Sequence, residues 1–181
     1  MKILQTYRII AAVGAALLAS LCEANTSAPL HTSLWNSAAK YAQVNPSEFY
    51  AIALQETAVR WSDGKTRPWP WTLNSARGSM RFADKHSAQI ALDALRSSGV
   101  CNVDVGLMQI NWCVHKERFG HLDWLDPVTN IRIAAMVLRE ARESSPERSV
   151  GIGRYHSWTP HRASQYAERV AVWTHRLNHA R

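Results

Sequence analysis

The sequence lacks the hallmarks of several protein classes. Its 8 glycines and 7 prolines among 181 residues follow no regular spacing, which excludes a collagen-like chain. It contains no internal repeat, no low-complexity stretch and no glycine-rich phosphate-binding loop. The longest uncharged apolar run, residues 9–21, would span about 20 Å as a helix. Because a bilayer core is about 30 Å thick, a protein with several membrane spans is also excluded.

The composition is that of a globular protein with an excess of basic residues. Hydrophobic residues make up 46% and charged residues 19% of the chain, so it can bury a core. The length predicts one domain with a short appendage. Lys and Arg number 21 against 14 Asp and Glu, a formal charge of +7. This charge favours an anionic partner, either nucleic acid, an acidic membrane face or an anionic polymer such as a cell wall.

The appendage is predicted to be a secretory signal peptide over residues 1–24. Lys2 and Arg8 precede the short apolar run, and small residues follow it at Cys22 and Ala24, as is typical of export signals. We expect cleavage after Ala24. An uncleaved anchor is the alternative, and a lipoprotein at Cys22 is less favoured because Leu21 stands where a small residue is wanted. Loss of residues 1–24 changes the charge from +7 to +7 − 2 + 1 = +6.

The cysteine count agrees with export. Of three cysteines, only Cys101 and Cys113 remain after residues 1–24 are removed. An even pair in an oxidising compartment predicts a disulfide. A zinc site that adds His115 and His121 is the alternative, but the spacing is not that of a compact paired zinc motif. No metal and no cofactor are therefore expected.

Hydrophobic periodicity predicts a mainly α protein with a small β-hairpin insertion. Trp69, Trp71 and Leu73 alternate before a turn at 75–78, which predicts a hairpin over about 67–82. The last predicted helix, over about 160–178, places Tyr166 on its apolar face. Capping residues and apolar spacing predict helices over about 31–43, 46–60, 87–98, from 127 through at least 138, and 160–178.

Glu56 is the most informative residue of the second helix. It follows Phe49, Ile52 and Ala53 on one face, at i, i+3, i+4 and i+7. Burial among apolar side chains would raise the pKa of this carboxyl, as suits a group that protonates a leaving group near neutral pH. The alternative is an ordinary ion pair with Arg60 at i+4. The pattern alone leaves both interpretations open.

Three ordered segments carry a resemblance to a known family. Residues 51–57 (AIALQET), 106–110 (GLMQI) and 153–157 (GRYHS) resemble the motifs of soluble lytic transglycosylase domains, lysozyme-like enzymes that cleave peptidoglycan. The similarity covers about residues 33–157. Residues 68–74 (PWPWTLN) are similar to the small enzymes that accompany conjugation, type IV secretion and pilus assembly. Two positions depart from the family pattern, Thr57 in place of Ser and His156 in place of Asn.

The resemblance implies a lysozyme-like fold and assigns roles to individual residues. Glu56 would act first as acid and then as base, while the 6-hydroxyl of muramic acid attacks and forms a 1,6-anhydro product. Gln109 would hydrogen-bond near the N-acetyl group or the leaving sugar, and Tyr155 would position Glu56 and the sugar. The Thr57 hydroxyl would be free to bond to the Glu56 carboxylate.

The expected partner is the peptidoglycan glycan strand, and components of a secretion, conjugation or pilus machine are further expected partners. Trp69 and Trp71 are candidates for stacking on sugar faces. We expect a periplasmic monomer that does not bind nucleic acid. Two alternatives stay open. Asp104 would allow lysozyme-type hydrolysis if it faced Glu56 across the cleft, and a non-catalytic wall-binding component could keep the same fold.

Overall fold

The computed structural model describes residues 30–179, and helices account for most of them. The predicted signal peptide lies outside the described residues. No helix in the described part is long and apolar enough to cross a membrane. Seven helices are described: α1 (Leu30–Tyr41), α2 (Pro46–Thr57), α3 (Lys85–Ser97), α4 (Trp112–Phe119), α5 (Pro127–Glu143), α6 (Arg148–His156) and α7 (Pro160–His179).

The five helices predicted from the sequence are confirmed as α1, α2, α3, α5 and α7. The predicted end of α2 at residue 60 is wrong, because the helix ends at Thr57 and residues 58–60 form a strand. Helices α4 and α6 were not predicted. Asn111 caps α4, where its side chain accepts a hydrogen bond from the Val114 amide.

The strands form two small antiparallel sheets. In the first, β1 (Ala58–Arg60) pairs with β2 (Thr66–Pro68). In the second, the order is β4 (Gly78–Arg81), β3 (Thr72–Ser75), β5 (Val103–Val105) and β6 (Ile110–Asn111). The predicted hairpin is therefore confirmed as β3–β4, with its turn between Ser75 and Gly78. Residues 67 and 68, which the prediction placed in this hairpin, belong to β2 and pair with β1 instead, and Trp69 and Trp71 precede β3.

Helix α2 lies in the centre of the fold. Phe49, Ile52 and Ala53 are fully buried, and α2 packs against α7, which also packs against α6. The Pro127 end of α5 is capped by Asp126, whose carboxylate accepts from the Thr129 amide at 2.8 Å. At the C-terminal end of α2, Glu56 contacts Tyr166 of α7, whose ring in turn stacks on that of His156 of α6.

A buried asparagine fixes the connection between β5 and β6. Asn130 of α5 is 1% exposed, and its Nδ2 donates to the carbonyls of Val105 and Trp124, both at 3.0 Å. Its Oδ1 accepts from the Met108 amide at 2.8 Å. Gly106 in the same connection has φ +82°, a region that favours glycine.

Candidate active site

Glu56 occupies the last turn of α2 and is half-buried. Its Oε1 accepts a hydrogen bond from the Tyr166 hydroxyl at 2.5 Å. The pKa of the Glu56 carboxyl is raised from 4.5 to about 7, mainly by burial. The hydrogen bond from Tyr166 opposes this rise in pKa, the charge of Asp104 adds to it, and the charge of Arg169 opposes it.

The alternative ion pair between Glu56 and Arg60 is absent from the described residues. Arg60 lies on β1, beyond the end of α2, and is exposed. Because the chain leaves the helix after Thr57, the helical i, i+4 geometry that would join the two side chains is lost. The carboxyl of Glu56 instead faces Tyr166.

Tyr166 is a residue of the candidate site that the sequence analysis did not identify as one. It lies on α7, is 1% exposed, and its ring stacks on that of His156 with centroids 4.7 Å apart and planes 4° apart. Arg169 lies 5.9 Å from the Tyr166 ring centroid. The sequence could have pointed to Tyr166, because this tyrosine lies on the apolar face of an amphipathic helix and a buried phenol hydroxyl requires a hydrogen-bond partner.

Tyr155 lies on α6 next to this pair, with its ring centroid 6.4 Å from that of Tyr166. Its hydroxyl donates to the Met108 carbonyl at 2.7 Å, so it contacts the 106–110 segment. Burial, with the charges of Glu56 and Asp104, raises the pKa of Tyr155 well above 10.0. Tyr155 is therefore a neutral hydroxyl close to Glu56, whereas Tyr166 makes the hydrogen bond to the carboxylate.

Thr57 is fully buried and does not face the carboxylate. Its hydroxyl donates to the Leu107 carbonyl at 2.8 Å, and its own carbonyl accepts from the Trp69 amide at 3.0 Å. The residue after Glu56 thus joins α2 to both the 106–110 segment and the tryptophan segment. Its position supports a role in holding Glu56 in place rather than in contacting a ligand.

Gln109 has a left-handed backbone, with φ +49°. Its Nε2 donates to the Gly106 carbonyl at 2.8 Å and to the Thr72 carbonyl at 3.2 Å. The side-chain amide therefore folds back on the loop and on β3. This arrangement joins the 106–110 segment to the hairpin.

Asp104 is the second carboxylate of the site. It lies on β5, where Oδ2 accepts from Asn74 Nδ2 at 3.3 Å and Oδ1 accepts from Asn111 Nδ2 at 2.9 Å. Its charge raises the pKa of Glu56, so the two carboxyls interact. Both Asp104 oxygens, however, are held by amide groups of neighbouring strands.

A cluster of three tryptophans adjoins the end of α2. Trp69 lies 5.1 Å from Trp61 and 5.8 Å from Trp71 between ring centroids. The indole of Trp69 donates to the Phe82 carbonyl at 2.8 Å, while Trp71 packs partly against the core. Trp61, which the sequence reasoning did not single out, is 37% exposed. Trp61 is thus the member with the most accessible ring.

The predicted disulfide is present between Cys101 and Cys113, with Cα atoms 4.9 Å apart. The alternative zinc site with His115 and His121 is wrong, because the two sulfurs are bonded to each other. Among residues 30–179, no group of three or more His, Cys, Asp or Glu side chains is placed to hold a metal ion.

The candidate site therefore contains the Glu56 carboxyl of raised pKa, two tyrosine hydroxyls, and the Asp104 carboxylate, which accepts hydrogen bonds from two asparagine amides. Comparison of the chain with protein family models, with curated protein sequences and with solved structures returned no significant match.

Proposed function

We propose that this chain is an exported lytic transglycosylase of lysozyme-like fold. It would cleave the β-1,4 bond between N-acetylmuramic acid and N-acetylglucosamine in peptidoglycan and leave a 1,6-anhydro end. The order of the three motifs supports this proposal, and the environment of Glu56 carries it. A carboxyl whose pKa is about 7 can be protonated or ionised near neutral pH.

One such carboxyl suffices for the reaction. Protonated Glu56 donates its proton to the glycosidic oxygen, and the bond from that oxygen to C1 of muramic acid breaks. The 6-hydroxyl oxygen of the same sugar then attacks C1, and its proton passes to the Glu56 carboxylate. Glu56 ends the cycle protonated, and no water is consumed.

The neighbouring hydroxyls suit both halves of this cycle. The Tyr166 hydroxyl donates to Glu56 Oε1 and so stabilises the carboxylate that must act as base. Tyr155, whose pKa lies well above 10.0, stays neutral and adds no charge. Trp61 and Trp69 offer apolar ring surface beside α2, of the kind that packs on sugar faces.

Lysozyme-type hydrolysis is the second candidate, and the charge of Asp104 acting on Glu56 favours it. Such a mechanism needs a second carboxylate that is free to stabilise or attack the sugar. The hydrogen bonds from Asn74 and Asn111 occupy both Asp104 oxygens, so we give transglycosylation precedence. The products distinguish the two, because hydrolysis leaves reducing muramic acid ends.

The biological setting is part of the same proposal. Residues 1–24 would direct the chain to the periplasm, where it would open the wall locally during assembly of a secretion, conjugation or pilus apparatus. The mature charge of +6 suits an anionic wall polymer.

The deciding experiment compares mature protein with the Glu56→Gln variant on purified peptidoglycan. We expect the unaltered protein to clear a zymogram and to release anhydro-muropeptides, and Glu56→Gln to do neither. Glu117→Gln is the matched control, because the Glu117 side chain is 87% exposed. Reducing ends in place of anhydro ends would favour hydrolysis, and equal activity of all three proteins would remove Glu56 from the reaction. Strand binding without cleavage would identify a non-catalytic wall-binding component.

A further inference from the structure

One face of α7 carries two arginines on either side of Tyr166. Arg162, Tyr166 and Arg169 stand at i, i+4 and i+7, which places them on the same side of a helix. Tyr166 on this face donates to Glu56, and Arg169 lies 5.9 Å from the Tyr166 ring. The Arg169 guanidinium therefore lies beside the side chain that contacts Glu56, and Arg162 lies one helical turn before that side chain on the same side of α7.

Among residues 30–179, neither arginine forms an ion pair with a carboxylate within 4.0 Å, although the charge of Arg169 acts on Glu56. Five arginines of the described part form such pairs, whereas Arg162 and Arg169, like Arg132, are exposed and do not. The paired arginines are Arg67 with Asp63, Arg96 with Asp93, Arg118 with Glu140, Arg139 with Glu143, and Arg148 with Glu48.

The position of Arg162 is unfavourable for the helix itself. It lies in the first turn of α7, which contains no acidic residue, and a cation there opposes the helix dipole. Arg162 and Arg169 also act on the same neighbour, His156, whose pKa is lowered mainly by burial and further by the charges of both arginines. The charge of Asp104 opposes this lowering of the pKa of His156. Two positive charges of α7 therefore act on His156, and the acidic charge that opposes them, that of Asp104, comes from β5 and not from α7.

We infer that Arg162 and Arg169, with the exposed face of His156, form a carboxylate-binding site beside Glu56. This inference rests on the proposed function and names the part of the substrate that the site takes. Peptidoglycan carries carboxylates on its stem peptides and, where these are removed, on the lactyl groups of muramic acid. A guanidinium binds a carboxylate through two parallel N–H···O bonds. The site thereby selects muramyl strands over uncharged glycans of the same backbone.

The test uses soluble glycan strands in three chemical forms. One form keeps its stem peptides, and a second is stripped by an amidase and retains lactyl carboxylates only. In a third form the carboxylates are activated with a carbodiimide and converted to amides by added ammonia, with release of the urea. For each form we would measure the rate of anhydro-end formation at low substrate concentration. Binding of each form to Glu56→Gln protein gives a second readout that does not need cleavage.

The variants are Arg162→Gln, Arg162→Lys and Arg169→Gln, with Arg132→Gln as control. Arg132 is exposed on α5 and is not among the charges that shift the pKa of Glu56 or His156. We expect the unaltered protein to prefer carboxylate-bearing over amidated strands by about tenfold, the worth of one charged hydrogen bond. The ratio of charged to amidated strand cleavage should fall towards one in Arg162→Gln and in Arg169→Gln. It should be partly kept in Arg162→Lys and unchanged in Arg132→Gln.

The comparison of the three strand forms also identifies which carboxylate the site binds. A preference for the peptide-bearing form alone assigns the site to stem peptides, and an equal preference for the stripped form assigns it to lactyl groups. Equal cleavage and equal binding of charged and amidated strands by the unaltered protein would overturn the inference, as would a full preference in Arg162→Gln. If no strand is cleaved but charged strands bind selectively through Arg162, the proposed function fails while the binding site stands.

Discussion

At the scale of single residues, the chemistry depends on the balance of forces on Glu56. Burial favours its neutral form, while the Tyr166 hydroxyl and Arg169 favour the carboxylate, and the resulting pKa is about 7. A more deeply buried acid without Tyr166 would hold its proton too strongly to serve as base. In the proposed reaction, Tyr166 is thus a positioning residue that also lowers the pKa of Glu56.

The substitution Tyr166→Phe tests this balance. Loss of a hydrogen bond to the charged form raises the pKa of Glu56 further. In the proposed reaction Glu56 must be protonated at the start, so we expect activity to decline as pH rises through this pKa. In Tyr166→Phe the decline should move to higher pH. A hydrogen bond worth about 1.4 kcal/mol corresponds to about one pH unit. Cleavage rates measured between pH 5 and 9 would reveal the shift.

The matched control is Tyr41→Phe, since Tyr41 is an exposed tyrosine on α1. Its pH profile should coincide with that of the unaltered protein. A decline that stays in place, or moves to lower pH, in Tyr166→Phe would show that the hydroxyl does not stabilise the Glu56 carboxylate.

The raised pKa of Glu56 also predicts how stability depends on pH. The folded pKa of about 7 exceeds the ordinary 4.5, so the folded protein holds this proton more tightly than the unfolded chain. The resulting contribution is complete below pH 4.5 and is lost as pH rises to about 7. At 1.36 kcal/mol per pKa unit the loss is about 3 kcal/mol.

The measurement is the free energy of unfolding of Glu56→Gln relative to the unaltered protein, by urea denaturation at several pH values. Gln does not ionise, so the variant should gain about 3 kcal/mol relative to the unaltered protein between pH 4.5 and 7.5. A difference that is constant over this pH range would contradict the raised pKa. Glu117→Gln, which changes a side chain that is 87% exposed, is the matched control.

At the scale of elements, the site depends on the connection between β5 and β6. Gly106 has φ +82°, and a Cβ added there would lie 2.3 Å from Asn130 Nδ2. The connection therefore fits closely over the amide of α5 that holds it. In the same connection, the Met108 carbonyl accepts a hydrogen bond from the Tyr155 hydroxyl.

The substitution Gly106→Ala should destabilise the fold more than Gly99→Ala. Both glycines have φ near +80°, but nothing lies within 4 Å of a Cβ added at Gly99. Gly99→Ala therefore costs about 1 kcal/mol for the backbone alone. Gly106→Ala adds a steric clash with Asn130, and we expect a total of about 3 kcal/mol.

A double-mutant cycle isolates the clash. In an Asn130→Ala background, which itself loses three buried hydrogen bonds, the additional cost of Gly106→Ala should fall to about that of Gly99→Ala. Thermal and urea unfolding of the four proteins gives these values. Strict additivity of Gly106→Ala and Asn130→Ala would refute the close contact.

Sequence reasoning succeeded at this scale where the signal is local. The apolar spacing of α2, the Asp126 cap of α5 and the turn before Gly78 each act within a few residues. It failed at the end of α2, because the strand at 58–60 exists through pairing with 66–68. Periodicity does not report such pairings.

At the scale of the whole molecule, the structure joins Thr57 and Tyr155 to the 106–110 segment, but the partners of the predicted site residues were not foreseeable. Glu56 and Tyr166 are 110 positions apart, and the Thr57 hydroxyl reaches Leu107, 50 positions away. Motif order pointed to the neighbourhood of Glu56, Gln109 and Tyr155. The tertiary packing of α2 against α7 decided which hydroxyl meets the carboxylate.

The disulfide links this fold to its expected compartment. Cys101 and Cys113 close a loop with a sequence separation of 12, which includes β5 and the Gly106 connection. Restriction of the unfolded chain by such a loop contributes about 3 kcal/mol. We expect the Cys101→Ala/Cys113→Ala variant to unfold with a free energy lower by about that amount. The loss should be measurable by urea denaturation at neutral pH.

A reductant provides the internal control for that prediction. Dithiothreitol should lower the unfolding free energy of the unaltered protein to that of the double variant and leave the double variant unchanged. We expect protein made in a reducing cytosol, once it is oxidised, to reach the same unfolding free energy as protein that formed its disulfide in an oxidising compartment. A reduced protein as stable as the oxidised one would show that the bridge contributes nothing to the fold, and the basis for linking it to export would then disappear.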